Sequence, residues 1–290
     1  MVSMQDFIME RMLARNSVPL PVPAGSDPRC PPLFQFGGGQ ALSLARETGS
    51  APLVIVSLEP LLDEDTNPEV CRRVVEGLAA SPPRAALQLE FFSPSEFPAV
   101  LPHPIPYWRN IHGFLAGWLG QEHPAPFSWQ ALERCIIELP YSPHHARSRT
   151  RPHPDGTKPP QLRRTAELDH LLRERVRLVI AEYRPATLLV LGVPPLEALK
   201  ETFPTTVFAT AAKPRVPSGV GLTALGAGRR FLTQWHSATL EMGDCAVPVF
   251  ARRAPFTNRY MPTKQGLWWL GHMLRDIAEA RVTWSDHFDA

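Results

Sequence analysis

Short, continuously apolar runs alternate with helical patterns along this chain. Residues 52–57 (PLVIVS), 135–139 (CIIEL), 187–191 (TLLVL) and 247–251 (VPVFA) lack the in-out alternation of a half-exposed strand. Continuous hydrophobicity over five or six residues is the pattern of strands buried on both faces. The runs therefore predict parallel strands at the centre of an α/β sheet. Between them, residues 165–183 place Leu168, Leu171, Leu172, Val176, Val179, Ile180 and Tyr183 on one helical face. Thr165 is the expected N-cap and Pro185 the expected stop. A second helix is predicted over 107–119, with Tyr107, Ile111, Phe114, Leu115 and Trp118 on its buried side. A third starts near Pro195, and a C-terminal one near Lys264 carries Leu267, Leu270, Leu274 and Ile277. There is no internal repeat. The expectation is one α/β domain over 51–290, with residues 1–50 as an N-terminal helix and proline-rich extension packed on it.

Composition changes this picture in one respect. The chain is 44% hydrophobic and 20% charged, which excludes wholesale disorder, but 33 of its 290 residues are proline. That is about twice the average usage of about 5%. With no glycine period of the collagen type, many long irregular connections are expected. The four cysteines, Cys30, Cys71, Cys135 and Cys245, form no C-x-x-C pair, and the N-terminus is charged where a signal peptide needs an apolar run. A reduced, cytoplasmic protein is expected, with no membrane partner, since no stretch approaches the roughly 18 apolar residues of a span.

Net charge is only +2, but it is unevenly spread. Arg147, Arg149, Arg151, Lys158, Arg163 and Arg164 face a single acid, Asp155, between positions 144 and 164. Arg252, Arg253, Arg259 and Lys264 have no acidic neighbour between 252 and 264. A solvated polar surface accounts for either cluster alone; two clusters beside one crevice point to a polyanion.

Ligands of an open α/β sheet bind outside the carboxyl ends of its strands. Those ends read Ser57-Leu58-Glu59-Pro60 followed by Asp63, Glu64 and Asp65; Glu138-Leu139-Pro140-Tyr141-Ser142-Pro143-His144-His145; Gly192-Val193-Pro194-Pro195; and Arg252-Arg253-Ala254-Pro255-Phe256-Thr257-Asn258-Arg259. In their order and spacing, VIVSLEP, CIIELPYSP, LLVLGVPPLEAL and VPVFARRAPFTNR resemble the motifs of the uracil-DNA glycosylase superfamily, over roughly residues 52–275. The resemblance implies a three-layer α/β/α fold around a mostly parallel four-stranded sheet, a double-stranded DNA partner, a monomer, and a monofunctional glycosylase without metal or other cofactor. The chain departs from the family pattern at two points. Ser57 replaces a glycine in the first motif, which keeps Glu59 and Pro60, and Ala254-Pro255-Phe256 replaces the usual His-Pro-Ser.

The resemblance assigns roles that chemistry makes intelligible. N-glycosidic cleavage passes through an oxocarbenium-like sugar, so a carboxylate beneath the sugar favours the developing charge and can orient the attacking water. Glu59 is the candidate, with Asp63 or Asp65 in reserve; a turn residue is the alternative. The missing histidine would be supplied by His144, His145 or His236, or dispensed with. Glu138 stands where the family commonly has a base-reading asparagine. An ionised carboxylate only accepts, which suits an exocyclic amine, and a protonated one donates to a ring nitrogen. The expected base is therefore a cytosine, modified as in some bacteriophage DNA, which suggests defence; a buried Glu138 satisfied by Arg or backbone donors is the alternative. Phe91, Phe92 and Tyr141 are the candidate stacking faces for a flipped base. Phe256, with Arg253 and Arg259, is expected to fill the gap left in the duplex. His144, His145, Arg147, Arg149, Arg252 and Asn258 complete the expected DNA surface. Two other readings stay open: a catalytically silent nucleic-acid-binding protein, and a nucleoside hydrolase using the same crevice. Gly37-Gly38-Gly39 lacks the Lys-Ser/Thr of a phosphate loop, His144, His145 and His153 lack metal-ligand spacing, and no G-x-S-x-G elbow is present.

Overall fold

The computed structural model describes residues 3–13, 32–48, 51–58, 76, 88, 106–144, 163–225, 231–254, 256 and 262–289. Their elements, in chain order, are α1 (Met4–Leu13), α2 (Gly39–Thr48), β1 (Leu53–Ser57), α3 (Pro106–Trp118), α4 (Trp129–Cys135), β2 (Ile136–Pro140), α5 (Ala166–Tyr183), β3 (Thr187–Leu191), α6 (Val193–Thr202), β4 (Lys213–Pro214), α7 (Leu222–Leu225), β5 (Trp235–Met242), β6 (Cys245–Arg252), α8 (Lys264–Ala278), α9 (Trp284–His287) and β7 (Phe288–Asp289). No helix among the described residues is long and apolar enough to cross a membrane.

The central sheet runs β2-β1-β3-β6-β5. The first four strands are parallel, with Leu53 opposite Ile136 and Thr187, and Leu189 opposite Phe250. Every residue of β1, β2 and β3 is buried, as continuous apolar runs require. The expected four strands become five because β5 closes a hairpin against β6, with Trp235 opposite Arg252 and Met242 opposite Cys245. Its sequence, WHSATLEM, is buried only at Trp235 and Leu240 and carries no continuous apolar run, so it lacks the signature of the central strands. A two-stranded ribbon of β4 and β7 lies outside this sheet.

Right-handed crossovers decide the faces. The chain moves one way from β1 to β2 and the other way from β2 to β3, so the intervening α3 and α5 fall on opposite sides. Side chains on β2 agree: Glu138 meets Tyr107 of α3, while Gly38 sits between Ile137 and Tyr183 of α5. Helix α8 packs on α3, and α6 on α5. The α3–α8 contact is backbone against backbone, since a Cβ on Gly117 would fall 1.9 Å from the Trp268 carbonyl oxygen and one on Gly271 2.1 Å from that of Phe114.

Local signals behave as the residues dictate. Thr165 accepts from Leu168 N at the start of α5, and Arg184 ends that helix in the left-handed region just before Pro185. Thr263 caps α8 by accepting from Gly266 N. Among the first fifty residues, α1 lies on α5 through Arg11–Glu174 at 2.8 Å. Phe36 exchanges backbone hydrogen bonds with Glu138 and covers the outer edge of β2.

Candidate functional site

The carboxyl ends of β1 and β2 leave the sheet side by side. Tyr141 N donates to Ser57 O at 2.8 Å and Ser142 N to Leu58 O at 2.9 Å, which extends the ladder beyond the last strand residues. Beneath this exit lies Glu138, the middle residue of β2 rather than its last, and only 2% exposed. The Tyr107 hydroxyl donates to its Oε1 at 2.8 Å. Its Oε2 is buried without a hydrogen-bond partner, and so is Ser57 Oγ. Ser57 nevertheless lies close enough to hold the carboxyl down without completing a bond of good geometry. Burial outweighs both helpers and pushes Glu138 up to about 7, so the group carries its proton about half the time at neutral pH. Tyr107 is held well above its ordinary value, chiefly by burial and then by the neighbouring Glu138 charge, and stays a donor.

A second network fixes the segment after β2. Arg175, fully buried on α5, donates to the carbonyls of Phe34 at 3.0 Å, Pro140 at 2.7 Å and Tyr141 at 3.1 Å. The guanidinium thus replaces three solvent contacts of irregular backbone with charge-assisted ones. The Tyr141 hydroxyl donates to Asp169 Oδ1 at 2.7 Å, and Arg164 joins Asp169 to Glu201. Tyr141 is completely buried, which corrects its assignment as a stacking face: its ring is a tie between β2 and α5.

At the end of β6 the expected DNA surface is also corrected. Arg252 is 1% exposed, with its guanidinium over the rings of Trp235 and Phe256 at 5.8 Å and 5.5 Å and its Nη2 donating to Thr233 Oγ1. Phe256 is wholly buried against Phe114 and Trp235. Withdrawing that ring to fill a gap in a duplex would forfeit about 2 kcal/mol of burial. Arg253, the next residue, is exposed and free to meet phosphate. His144 is buried, its backbone N–H donating to Ser142 Oγ, and so belongs to the turn after β2 rather than to a DNA-facing surface.

His236 does not complete a site around Glu138. It lies on β5, opposite Ala251, with Nδ1 3.3 Å from Ala209 O. Four strand spacings separate β5 from β2, roughly 19 Å. Burial lowers its pKa; the Ala209 carbonyl works against this, while Lys200 and Arg253 add to it. Glu59, Asp63, Asp65, Phe91, Phe92, His145, Arg147, Arg149, Asn258 and Arg259 lie outside the described residues.

Two participants escaped the sequence reading. Tyr107 stands in the apolar stripe of α3, and the clue is that a buried tyrosine hydroxyl requires a partner. Ser57, the last residue of β1, supplies a hydroxyl beside the carboxyl. A cavity of 780 Å³ opens at the opposite end of the sheet, lined by Leu53, Trp118, Arg134, Cys135, Ala186 and Arg275 among others. Arg275 there pairs with Asp276 and leans on Gly120 just beyond the carboxyl end of α3, a role in closing the helix rather than in chemistry. No protein-family model matches the chain, and no curated protein matches it.

Proposed function

We propose that this protein is a monofunctional DNA glycosylase acting on a flipped, modified cytosine-type base. The observation that carries the reading is Glu138: a buried carboxyl below the exits of β1 and β2, poised at about 7, with one oxygen held by Tyr107 and the other without a partner. A cytosine edge offers a ring-nitrogen acceptor beside an amine donor. A neutral carboxyl answers both, accepting from the amine and donating to the ring nitrogen. The order β2-β1-β3-β6 of parallel strands and the family-like motifs at their ends support the same assignment.

In the reaction, water forms a bond to the sugar C1′ as the bond from C1′ to the base nitrogen breaks. The water proton leaves for a base and the departing base gains one, so atoms and charge balance. Glu59, two residues beyond β1, is the proposed carboxylate beneath the sugar. Exposed Arg253, with Arg147 and Arg149, would neutralise phosphates of double-stranded DNA.

Mass spectrometry of bases released from duplexes holding uracil, cytosine or modified cytosines tests this. Release of a modified cytosine, lost in Glu59→Ala, supports it; release of uracil alone sinks it. Protection of cells against phage with modified DNA, absent with Glu59→Ala, would support the defence role. One observation favours a second reading, a catalytically silent DNA-binding protein. The residues matching the family's His-Pro-Ser motif include Phe256, which is locked in the core. Salt-sensitive DNA binding without abasic-site formation on any substrate would select it.

A further inference from the structure

We propose that Tyr107 is the specificity-determining residue of this site, because its hydroxyl occupies Glu138 Oε1 and so fixes which carboxyl oxygen can present a proton to a bound base. This rests on the reading of Glu138 as the base-recognition group and deepens it.

Tyr107 donates to Oε1 at 2.8 Å, and burial keeps the phenol protonated. A carbonyl oxygen accepts more strongly than a hydroxyl oxygen, so the hydrogen bond from Tyr107 favours Oε1 as the carbonyl oxygen and places the carboxyl proton on Oε2, the oxygen without a partner. Oε1 keeps a lone pair with which to accept. Reading along the carboxyl, the order of acceptor and donor is therefore set. Cytosine and uracil differ in the reverse sense, since the positions 3 and 4 of one are acceptor and donor and those of the other donor and acceptor. A carboxyl whose proton could move to either oxygen would accept both bases. One pinned by Tyr107 accepts one, and the match to a ring-nitrogen acceptor assigns the cytosine class. When Glu138 ionises the donor is lost.

The groups that act on this ionisation are Tyr107 from α3 and Ser57 from β1, both of which lower it against the effect of burial. The positions flanking Glu138 across the sheet, Ile55 on β1 and Phe36 on the outer edge, are uncharged.

The test is calorimetric titration of the full chain with free 5-hydroxymethylcytosine and free uracil at pH 6 and pH 8. Wild type is expected to prefer the cytosine-type base at least tenfold at pH 6, and its affinity for that base should fall about tenfold by pH 8, the change in the protonated fraction of a group near 7. Tyr107→Phe should bring the two bases within about threefold of each other at pH 6. Glu138→Gln, whose amide carries a permanent donor and can turn over, should bind without pH dependence and admit uracil. Undiminished selectivity in Tyr107→Phe overturns the proposal, as does a wild type that binds neither base or a Glu138→Gln variant with the wild-type pH profile. Base release from DNA plays no part in this titration. Selective, proton-linked binding without release would remove the glycosylase assignment alone; release with selectivity intact in Tyr107→Phe would remove this one alone.

Discussion

The hydroxyl of Tyr141 donates to Asp169 Oδ1 at 2.7 Å, joining the segment that follows β2 to the first turn of α5. Tyr141→Phe removes this bond and leaves Asp169 to Arg164. A hydrogen bond to a charged acceptor contributes about 2 kcal/mol, so the urea midpoint should fall by that equivalent. Selectivity between bases should be unchanged, because the ring is inside the core rather than against a ligand.

Glu138 should make stability depend on pH. Its folded value of about 7 lies above the ordinary 4.5, so the folded state holds the proton more tightly than the unfolded chain. Stability from this group is complete below about 4.5, declines as pH rises, and levels off above 7, with a total of about 3 kcal/mol. Glu138→Gln should lack that decline, matching wild type near pH 5 and exceeding it near pH 8. Parallel urea denaturation across pH 5 to 8 reads this directly; identical slopes in the two proteins would contradict it.

Two glycines four residues apart on α3 should respond oppositely to alanine. A methyl on Gly117 would lie 1.9 Å from the Trp268 carbonyl, so the α3–α8 contact must open, at a cost of about 3 kcal/mol. A methyl on Gly113 would meet Leu267 Cδ1 at 3.6 Å, an ordinary contact. There the gain in helix propensity wins, and Gly113→Ala should stabilise by up to about 1 kcal/mol. Thermal melts of the two variants should move in opposite directions.

Adjacent arginines should likewise separate. Exposed Arg253 is expected to touch phosphate, so Arg253→Ala should weaken duplex binding for every sequence and reduce the slope of log affinity against log salt by about 1. Buried Arg252 lies between Trp235 and Phe256. Arg252→Ala should lower the melting temperature, with the salt slope unaltered in the protein that remains folded.

Much of the architecture was legible because burial imposes composition. A strand covered on both faces must be apolar throughout, so β1, β2 and β3 announce themselves as runs, and α5 by its stripe and its Thr165 cap. Strand β5 did not, since an edge strand pairs on one side and tolerates polar positions. The direction of side chains was less legible still. Tyr141 and Phe256 beyond their strands and Arg252 at the end of β6 carry the right chemistry for a DNA surface, yet each is drawn inward: the two rings bury apolar area, and Arg252 lies over Trp235 and Phe256 and donates to Thr233 despite the desolvation that lowers its pKa.

The sequence by itself determined the alternation of strands and helices and the presence of a carboxyl on a strand where polar residues are costly. Only the tertiary structure decided what that carboxyl is. Tyr107 and Glu138 are 31 positions apart, and nothing local links them. Their meeting depends on α3 lying over β2, and the proton affinity of Glu138 depends on how completely that packing excludes water.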